Sequence, residues 1–220
     1  MQRTHNNERR SAPAAQLTLR MATHNVQGLT RQKAVSLARG WRRDRLDVVL
    51  LQETWMNNDR VNNLGDALAG WQIQWAHRSE SAESGGRVRR GVAIAIRQRL
   101  VSPGGILKLQ ETSIVRSDNG RMIHCRIQWA GHTIRLVNVY LPNDTQSQRS
   151  FLQDQLLPVS QLAAPSEQLV VGGDFNFVLN ANTDRSPLGG ARLGNRRSPD
   201  GAAAPWNRHY NGLVDVWRQH

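Results

Sequence analysis

Across 220 residues, 29 Lys and Arg stand against 17 Asp and Glu, for a net charge of +12, and 39% of the chain is hydrophobic. That composition excludes a disordered chain and allows one domain with a real core. A single cysteine, Cys125, excludes a disulfide framework within the chain, and no apolar run approaches the ~20 residues of a membrane-spanning helix.

Residues 1–16 carry charge with no apolar stretch behind it, so they read as a flexible tail and not a secretory signal. Residues 17–220 read as one domain. The charge points to a polyanionic partner, most often nucleic acid, without naming a reaction. Only two of the basic residues are lysines, Lys33 and Lys108. Cys125 falls on an expected strand and reads as a small buried hydrophobe.

In chain order, Leu17 to Asn25 alternates, with Leu17, Leu19, Met21 and Thr23 on one side, which predicts a strand with one buried face. Thr30 is placed to cap a helix carrying Ala34, Leu37, Ala38 and Trp41 at helical spacing. The continuous apolar run Leu46–Leu51 predicts a buried strand leading into Gln52-Glu53-Thr54-Trp55. A helix over about 58–69 and a strand over 71–75 follow. Residues 77–90 read as a polar, basic loop, and 91–96 as a strand.

Two short strands are expected at 106–109 and 112–115. Strands at 122–129 and 133–140 form a hairpin about Ala130-Gly131-His132. A helix capped by Asp144 or Thr145 turns Phe151, Leu152 and Leu156 inward and ends at Pro158. Leu169-Val170-Val171 predicts a short buried strand, broken by Gly172 and Gly173, whose lack of side chains lets a phosphate or metal approach the backbone. On an extended backbone Asp174 and Asn176 project to one side. Residues 186–205 read as a long basic loop. Many strands with few helices fit an α/β sandwich of two facing sheets with helices outside.

Polar residues gather where strands end: Asn25 after the first, Glu53 after the second, Tyr140 with Asn143 after the hairpin, Asp174 and Asn176 after the last. Singly, each is also what a turn former or a solvated strand end looks like. Together they suggest phosphodiester cleavage at converging loops. Glu53 is a hard oxygen donor suited to Mg²⁺, with Mn²⁺ as the alternative ion. Such a metal polarises a phosphoryl oxygen and stabilises the leaving oxygen. Asp174 is placed to accept a proton from the attacking water, and Asn25, Asn176 and the Tyr140 hydroxyl to hold the phosphate and its developing charge.

The segments HNVQGL (24–29), LLQETW (50–55), NVYLPN (138–143) and GGDFN (172–176) together resemble the endonuclease/exonuclease/phosphatase superfamily, which includes DNase I and the abasic-site endonucleases. NVQGL, LQETW, GDFNFVLNANTDR (173–185) and the closing LVDVWRQH are similar to the endonuclease domain of non-LTR, LINE-type retrotransposons. The resemblance implies a four-layer α/β/β/α sandwich, Glu53 as metal ligand and Asp174 as the residue activating water. It implies Asn25, Tyr140 and Asn176 as phosphate and metal-shell contacts. Gln27 stands where the family usually has Asn or Asp, and Asp184 matches an Asp of the retrotransposon group.

One departure stands out. The family closes on a strand bearing Ser-Asp-His, with an earlier Asp orienting the histidine; neither occurs here, and the histidines after Asp174 are His209 and His220. We read the domain as lacking its last strands, with impaired activity. The leading expectation is a Mg²⁺-dependent endonuclease that nicks one DNA strand to leave a 3′-hydroxyl. Its DNA contacts are expected at Arg87, Arg89 and Arg90 and at Arg192, Arg196 and Arg197. Reverse transcriptase would belong to the parent polyprotein, and the location would be nuclear for a retrotransposon product and otherwise cytoplasmic. The alternatives are a phosphatase of a small or lipid phosphate and a non-catalytic nucleic-acid-binding remnant.

Overall fold

The structure, a computed structural model, describes residues 17–77, 90–177, 203–210 and 213. Its centre is a pair of four-stranded sheets. The first runs β1 (Met21–Asn25), β2 (Val48–Gln52), β4 (Val92–Arg97), β3 (Trp71–Ala76) in spatial order. The second runs β5 (Leu107–Arg116), β6 (Met122–Trp129), β7 (His132–Tyr140), β8 (Glu167–Asp174). Both sheets are mixed: β1 pairs parallel to β2 and β7 parallel to β8, while the remaining pairs are antiparallel.

Alternation along the strands assigns each face to a layer. Leu50, Ile94 and Ile96 of the first sheet meet Ile123, Ile127 and Leu136 of the second in a dry middle core. On the outer face of the first sheet, Val49, Leu51 and Trp71 pack against Ala34, Ala38 and Trp41 of α1 (Arg31–Arg43). Trp41 meets Trp71 edge to face at 5.1 Å. On the outer face of the second sheet, Val137 and Val139 are covered by Phe151, Leu152, Leu156 and Tyr210. With helices outside both sheets, the order is the expected α/β/β/α. Strand β2 is a continuous apolar run because both its faces are covered.

Most expected elements form, with instructive departures. Helix α2 (Asn58–Leu64) is capped by Asn57 and gives way at Gly65 to a 3₁₀ turn, Gly65–Leu68. A short helix, α3 (Gln98–Val101), follows β4 directly. The two strands expected at 106–115 are one strand, β5, with a register shift between Gln110 and Val115. There the Ser113 hydroxyl donates to the Gln110 carbonyl and accepts from the Arg126 N–H, so the break in the pattern is a bulge and not a loop. The hairpin turn is the two residues Ala130 and Gly131, both at positive φ (48° and 83°), the conformation that matches strand twist.

Pro158 does not end its helix. Helix α4 (Thr145–Phe151), capped by Asp144, passes through a π-helical turn, Leu152–Leu156, into α5 (Leu157–Gln161), where Pro158 sits in the first turn. The ring removes one N–H from the helical ladder, and the wider π turn just before it takes up the break without ending the helix. Within the expected 186–205 loop, residues from Ala203 on belong to α6 (Ala203–His209). Trp206 and Tyr210 stack at 4.6 Å, and the Tyr210 hydroxyl donates to the Leu152 carbonyl, docking α6 on the core.

The two outermost strands also depart from expectation. The face of β1 carrying Met21 and Thr23 is exposed, as is Leu17 before it, and β8 is half-buried apart from an exposed Gln168. Both strands lie at sheet edges with a single hydrogen-bonded neighbour among the described residues, so an apolar sequence there does not imply full burial. Cys125 is buried as expected, and burial pushes its thiol up to about 12, which leaves it unreactive.

Candidate active site

The two parallel pairs end at one rim. Registers of Asn25 with Gln52 and of Tyr140 with Asp174 bring the last residues of β1, β2, β7 and β8 together across the two sheets. One amide joins them. Asn25 Nδ2 donates to Glu53 Oε1 at 2.9 Å and to Asp174 Oδ2 at 2.8 Å. Its Oδ1 accepts from the Gln27 N–H at 3.1 Å, which fixes the amide's orientation. The Tyr140 hydroxyl completes the group. Burial raises its pKa first, and the charge of Glu53 and the hydrogen bond between them raise it further, so it is a neutral donor at physiological pH.

Backbone strain is concentrated at this rim. Gln27, Glu53, Trp55 and Asn176 all have positive φ (46°, 51°, 55° and 52°), a conformation costing roughly 1–3 kcal/mol at each non-glycine residue. Neighbouring main chain enforces it. The Gly28 N–H donates to the Glu53 carbonyl at 2.7 Å, and the N–H groups of Thr54 and Trp55 donate to the carbonyls of Gly91 and Arg90. Gly28 packs under the Trp55 ring so closely that a Cβ would lie 2.3 Å from Cε3.

Of the residues singled out in the sequence, Asn25, Glu53, Tyr140 and Asp174 converge. Asn176 takes a different part from that expected of an extended Asp-Phe-Asn. Its N–H holds Asp174 Oδ1 at 3.1 Å, and its Nδ2 donates to the Leu141 carbonyl at 2.8 Å. The left-handed turn at Asn176 removes the alternation that would have aimed it alongside Asp174. Gly172 and Gly173 likewise serve packing: a Cβ at 172 would meet Leu50 Cδ1 at 2.5 Å, and one at 173 the Val139 carbonyl at 2.0 Å. Arg90 is exposed and its carbonyl accepts from Trp55. Arg87, Arg89, Arg192, Arg196, Arg197, Asp184 and His220 lie outside the described residues.

Several supporting groups carry no local sequence signal. Arg121 lies 5.1 Å over the Tyr140 ring and donates Nη1 to the Tyr140 carbonyl at 3.0 Å. Burial, then the nearby Arg90 charge, lowers its pKa. Gln148, almost fully buried, donates to the carbonyls of Pro142 and Asn176, joining the loops after β7 and β8. Asn138, in sequence only one letter of NVYLPN, clasps the sheets below the rim through Gln52 and the carbonyls of Leu51 and Ala93. Among the described residues no histidine hydrogen-bonds to Asn25, Glu53, Tyr140 or Asp174.

The arrangement suits a hard divalent cation. Neither Glu53 nor Asp174 forms an ion pair among the described residues; their donors are a neutral amide, a backbone N–H and the Tyr140 hydroxyl, and both carboxyl groups keep unused lone pairs. Among the described residues no group of three or more His, Cys, Asp or Glu is placed to hold a metal ion; an ion here would rest on one or two carboxyl groups and keep most of its waters, as Mg²⁺ does.

Residues 22–217 match the Endonuclease/Exonuclease/phosphatase family. The chain belongs to that family. It is 32% identical over 111 residues, half its length, to the "Transposon TX1 uncharacterized 149 kDa protein" of Xenopus laevis, and spans 8% of that protein. Its fold is similar to that of an AP endonuclease from Archaeoglobus fulgidus, with TM-score 0.65 and 20% identity, covering 92% of this chain and 74% of the other. It is also similar to D. rerio TDP2 complexed with a single-strand DNA product, with TM-score 0.53 and 19% identity, covering 73% of this chain and 61% of the other. The fold expected from the four motifs is the one observed. No helix among the described residues is long and apolar enough to cross a membrane.

Proposed function

We propose that the chain carries a Mg²⁺-dependent phosphodiesterase site that nicks one strand of DNA and leaves a 3′-hydroxyl. The observation that carries this reading is the single Asn25 amide shared by Glu53 and Asp174 at the meeting of four strand ends. Glu53 would hold the ion; Mn²⁺ would serve in its place. When bound, the metal supplies Lewis-acid polarisation of the phosphoryl oxygen and stabilises the leaving oxygen. Asp174, oriented by Asn25 and by the Asn176 N–H, accepts the proton of the attacking water as it adds to phosphorus. The protonated Tyr140 hydroxyl would turn its proton from Glu53 to a non-bridging oxygen, where charge develops, while Asn25, whose two amide hydrogens are taken by Glu53 and Asp174, orients both carboxyl groups. Asn176 contributes through Asp174 and through the loop it pins to Leu141.

Family membership fits either substrate class; the transposon relative and the net charge of +12 support nucleic acid over a small phosphate. Arg90, with Arg87, Arg89, Arg192, Arg196 and Arg197, would supply sequence-independent phosphate contacts, and a nuclear location would follow from a retrotransposon parent that also encodes reverse transcriptase. A plasmid-nicking assay tests the reading. Supercoiled DNA should convert to nicked circles that a polymerase extends, only with Mg²⁺ or Mn²⁺, and not with Asp174→Ala or Glu53→Gln. Hydrolysis of p-nitrophenyl phosphate without nicking would favour the phosphatase. Activity surviving both substitutions, or none at all with either metal, would overturn the assignment.

A further inference from the structure

The loop from Val26 to Leu29 joins Asn25 to α1, and its hydrogen bonds divide into two sides. Its N–H groups are satisfied on one side: Val26 donates to the Gln52 carbonyl, Gln27 to Asn25 Oδ1, Gly28 to the Glu53 carbonyl and Leu29 to the Thr54 carbonyl. On the other side three consecutive carbonyls converge on one ammonium. Lys33 Nζ lies 2.8 Å from the Val26 oxygen, 2.8 Å from that of Gly28 and 3.4 Å from that of Gln27.

Three observations set Lys33 apart from a surface cation. It is the third residue of α1, whose first turn has no acidic residue, and the helix dipole disfavours positive charge there. Thr30 caps this helix by accepting from the Lys33 N–H, so position 33 is where a Glu or Gln would complete a capping box. And only two of the chain's 29 basic residues are lysines, so arginine would be the chain's usual cation. A guanidinium presents a flat fork, whereas an ammonium presents a tripod of three rotatable donors. Three carbonyls around one point fit the tripod.

We propose that Lys33 is a positioning residue: its ammonium acts as a built-in monovalent cation that shapes the 26–28 loop and thereby aims Asn25 between Glu53 and Asp174. The effect on cleavage rests on the phosphodiesterase reading above. The effect on the loop does not.

The test compares Lys33→Ala and Lys33→Arg in the full chain, with Lys108→Ala, on the outer strand β5, as control. Amide hydrogen exchange at Gly28 and Leu29 should quicken by about tenfold or more in both Lys33 variants, with the control unchanged. The nicking kcat should fall roughly 10²-fold, the scale of a misplaced catalytic group, with KM nearly unchanged. Propylammonium, which replaces the three carbons and ammonium deleted in Lys33→Ala, should restore exchange protection and kcat in that variant, and not in Lys33→Arg. Wild-type exchange in Lys33→Ala would mean that β2 holds the loop unaided. Wild-type exchange and kcat in Lys33→Arg would mean that any cation suffices. Either result overturns the proposal. Should Lys33→Ala fail to fold, Lys33→Arg, which keeps stem and charge, carries the comparison. Should the wild type cleave nothing, the phosphodiesterase reading falls while hydrogen exchange still decides the role of Lys33.

Discussion

Two asparagines tie the sheets together, and they differ in what their partners have left to offer. Asn138, fully buried on β7, accepts from Gln52 Nε2 at 2.7 Å and donates to the carbonyls of Leu51 and Ala93, each at 2.8 Å. Every partner is main chain or a buried amide, and water has no access. Asn25, half-exposed at the rim, spans the same gap, but its partners are carboxylates with unused lone pairs. The same side chain is a structural clasp where its bonds are closed and dry, and part of a site where they end on groups that can still bind.

That contrast can be broken from either side. Asn25→Ala should lower cleavage by roughly 10²-fold, the scale of a misplaced catalytic group, because it frees the two carboxyl groups it orients, while the denaturant midpoint barely moves because water can replace the amide. Asn138→Ala should do the reverse. It takes one hydrogen bond from each of three buried groups, the Leu51 and Ala93 carbonyls, which face each other in the β2–β4 ladder, and the Gln52 amide, which keeps its bond to the Leu50 carbonyl, at about 1 kcal/mol per lost bond. Urea unfolding should therefore show a loss on the order of 3 kcal/mol, with kcat of the folded fraction retained. Equal effects of the two substitutions on stability would erase the distinction.

A third kind of buried polar group sits between these cases. His124 is buried and its Nδ1 has no hydrogen-bond partner. Burial first, then the charges of Arg135 and Arg126, hold its pKa below the ordinary 6.5, with Glu167 opposing. The folded state then binds fewer protons than the unfolded state between the lowered pKa and 6.5, so stability rises with pH through that window and is lost as pH falls through it. Melting temperature should drop on acidification from pH 7, and His124→Gln should flatten that slope. The Glu167 carboxyl, paired with Arg135 and Arg126, reports lower. Burial pushes its pKa up, but the Arg135 hydrogen bond and the other donors outweigh it and hold it below 4.5. Its contribution is lost only on further acidification. The smallest effect belongs to a tie in open water. Arg31 and Asp66 meet at 2.6 Å with side chains 58% and 80% exposed, and a double-mutant cycle should find less than about 1 kcal/mol of coupling.

Much of this was legible in the sequence because strand ends and apolar periods are local. The strands β2, β4, β6 and β7, the Thr30 cap and the four polar strand ends follow from patterns a few residues long. What was hidden depends on distant neighbours. Leu17 and Met21 alternate as a buried face should, yet lie exposed beside an edge strand. Pro158 looks like a helix stop until a π turn ahead of it takes up the missing hydrogen bond and the helix runs on. Gln148 and Arg121 have no pattern at all, since their partners lie on other elements. Lys33 did leave a trace, a lysine among arginines at a helix start, but its meaning needs the three carbonyls in place.

The contact of Gly172 with Leu50 and of Gly173 with the Val139 carbonyl has an evolutionary consequence. The thickness of the middle core under the rim and the height of Asp174 above it are one variable. A larger side chain at Leu50 would lift β8 and carry the carboxylate with it; a smaller one would let it sink. Drift in an apolar position far from solvent would then be felt as a change in chemistry, and lineages keeping the activity should vary less at Leu50 than at equally buried positions such as Ile127, which underlies no such contact.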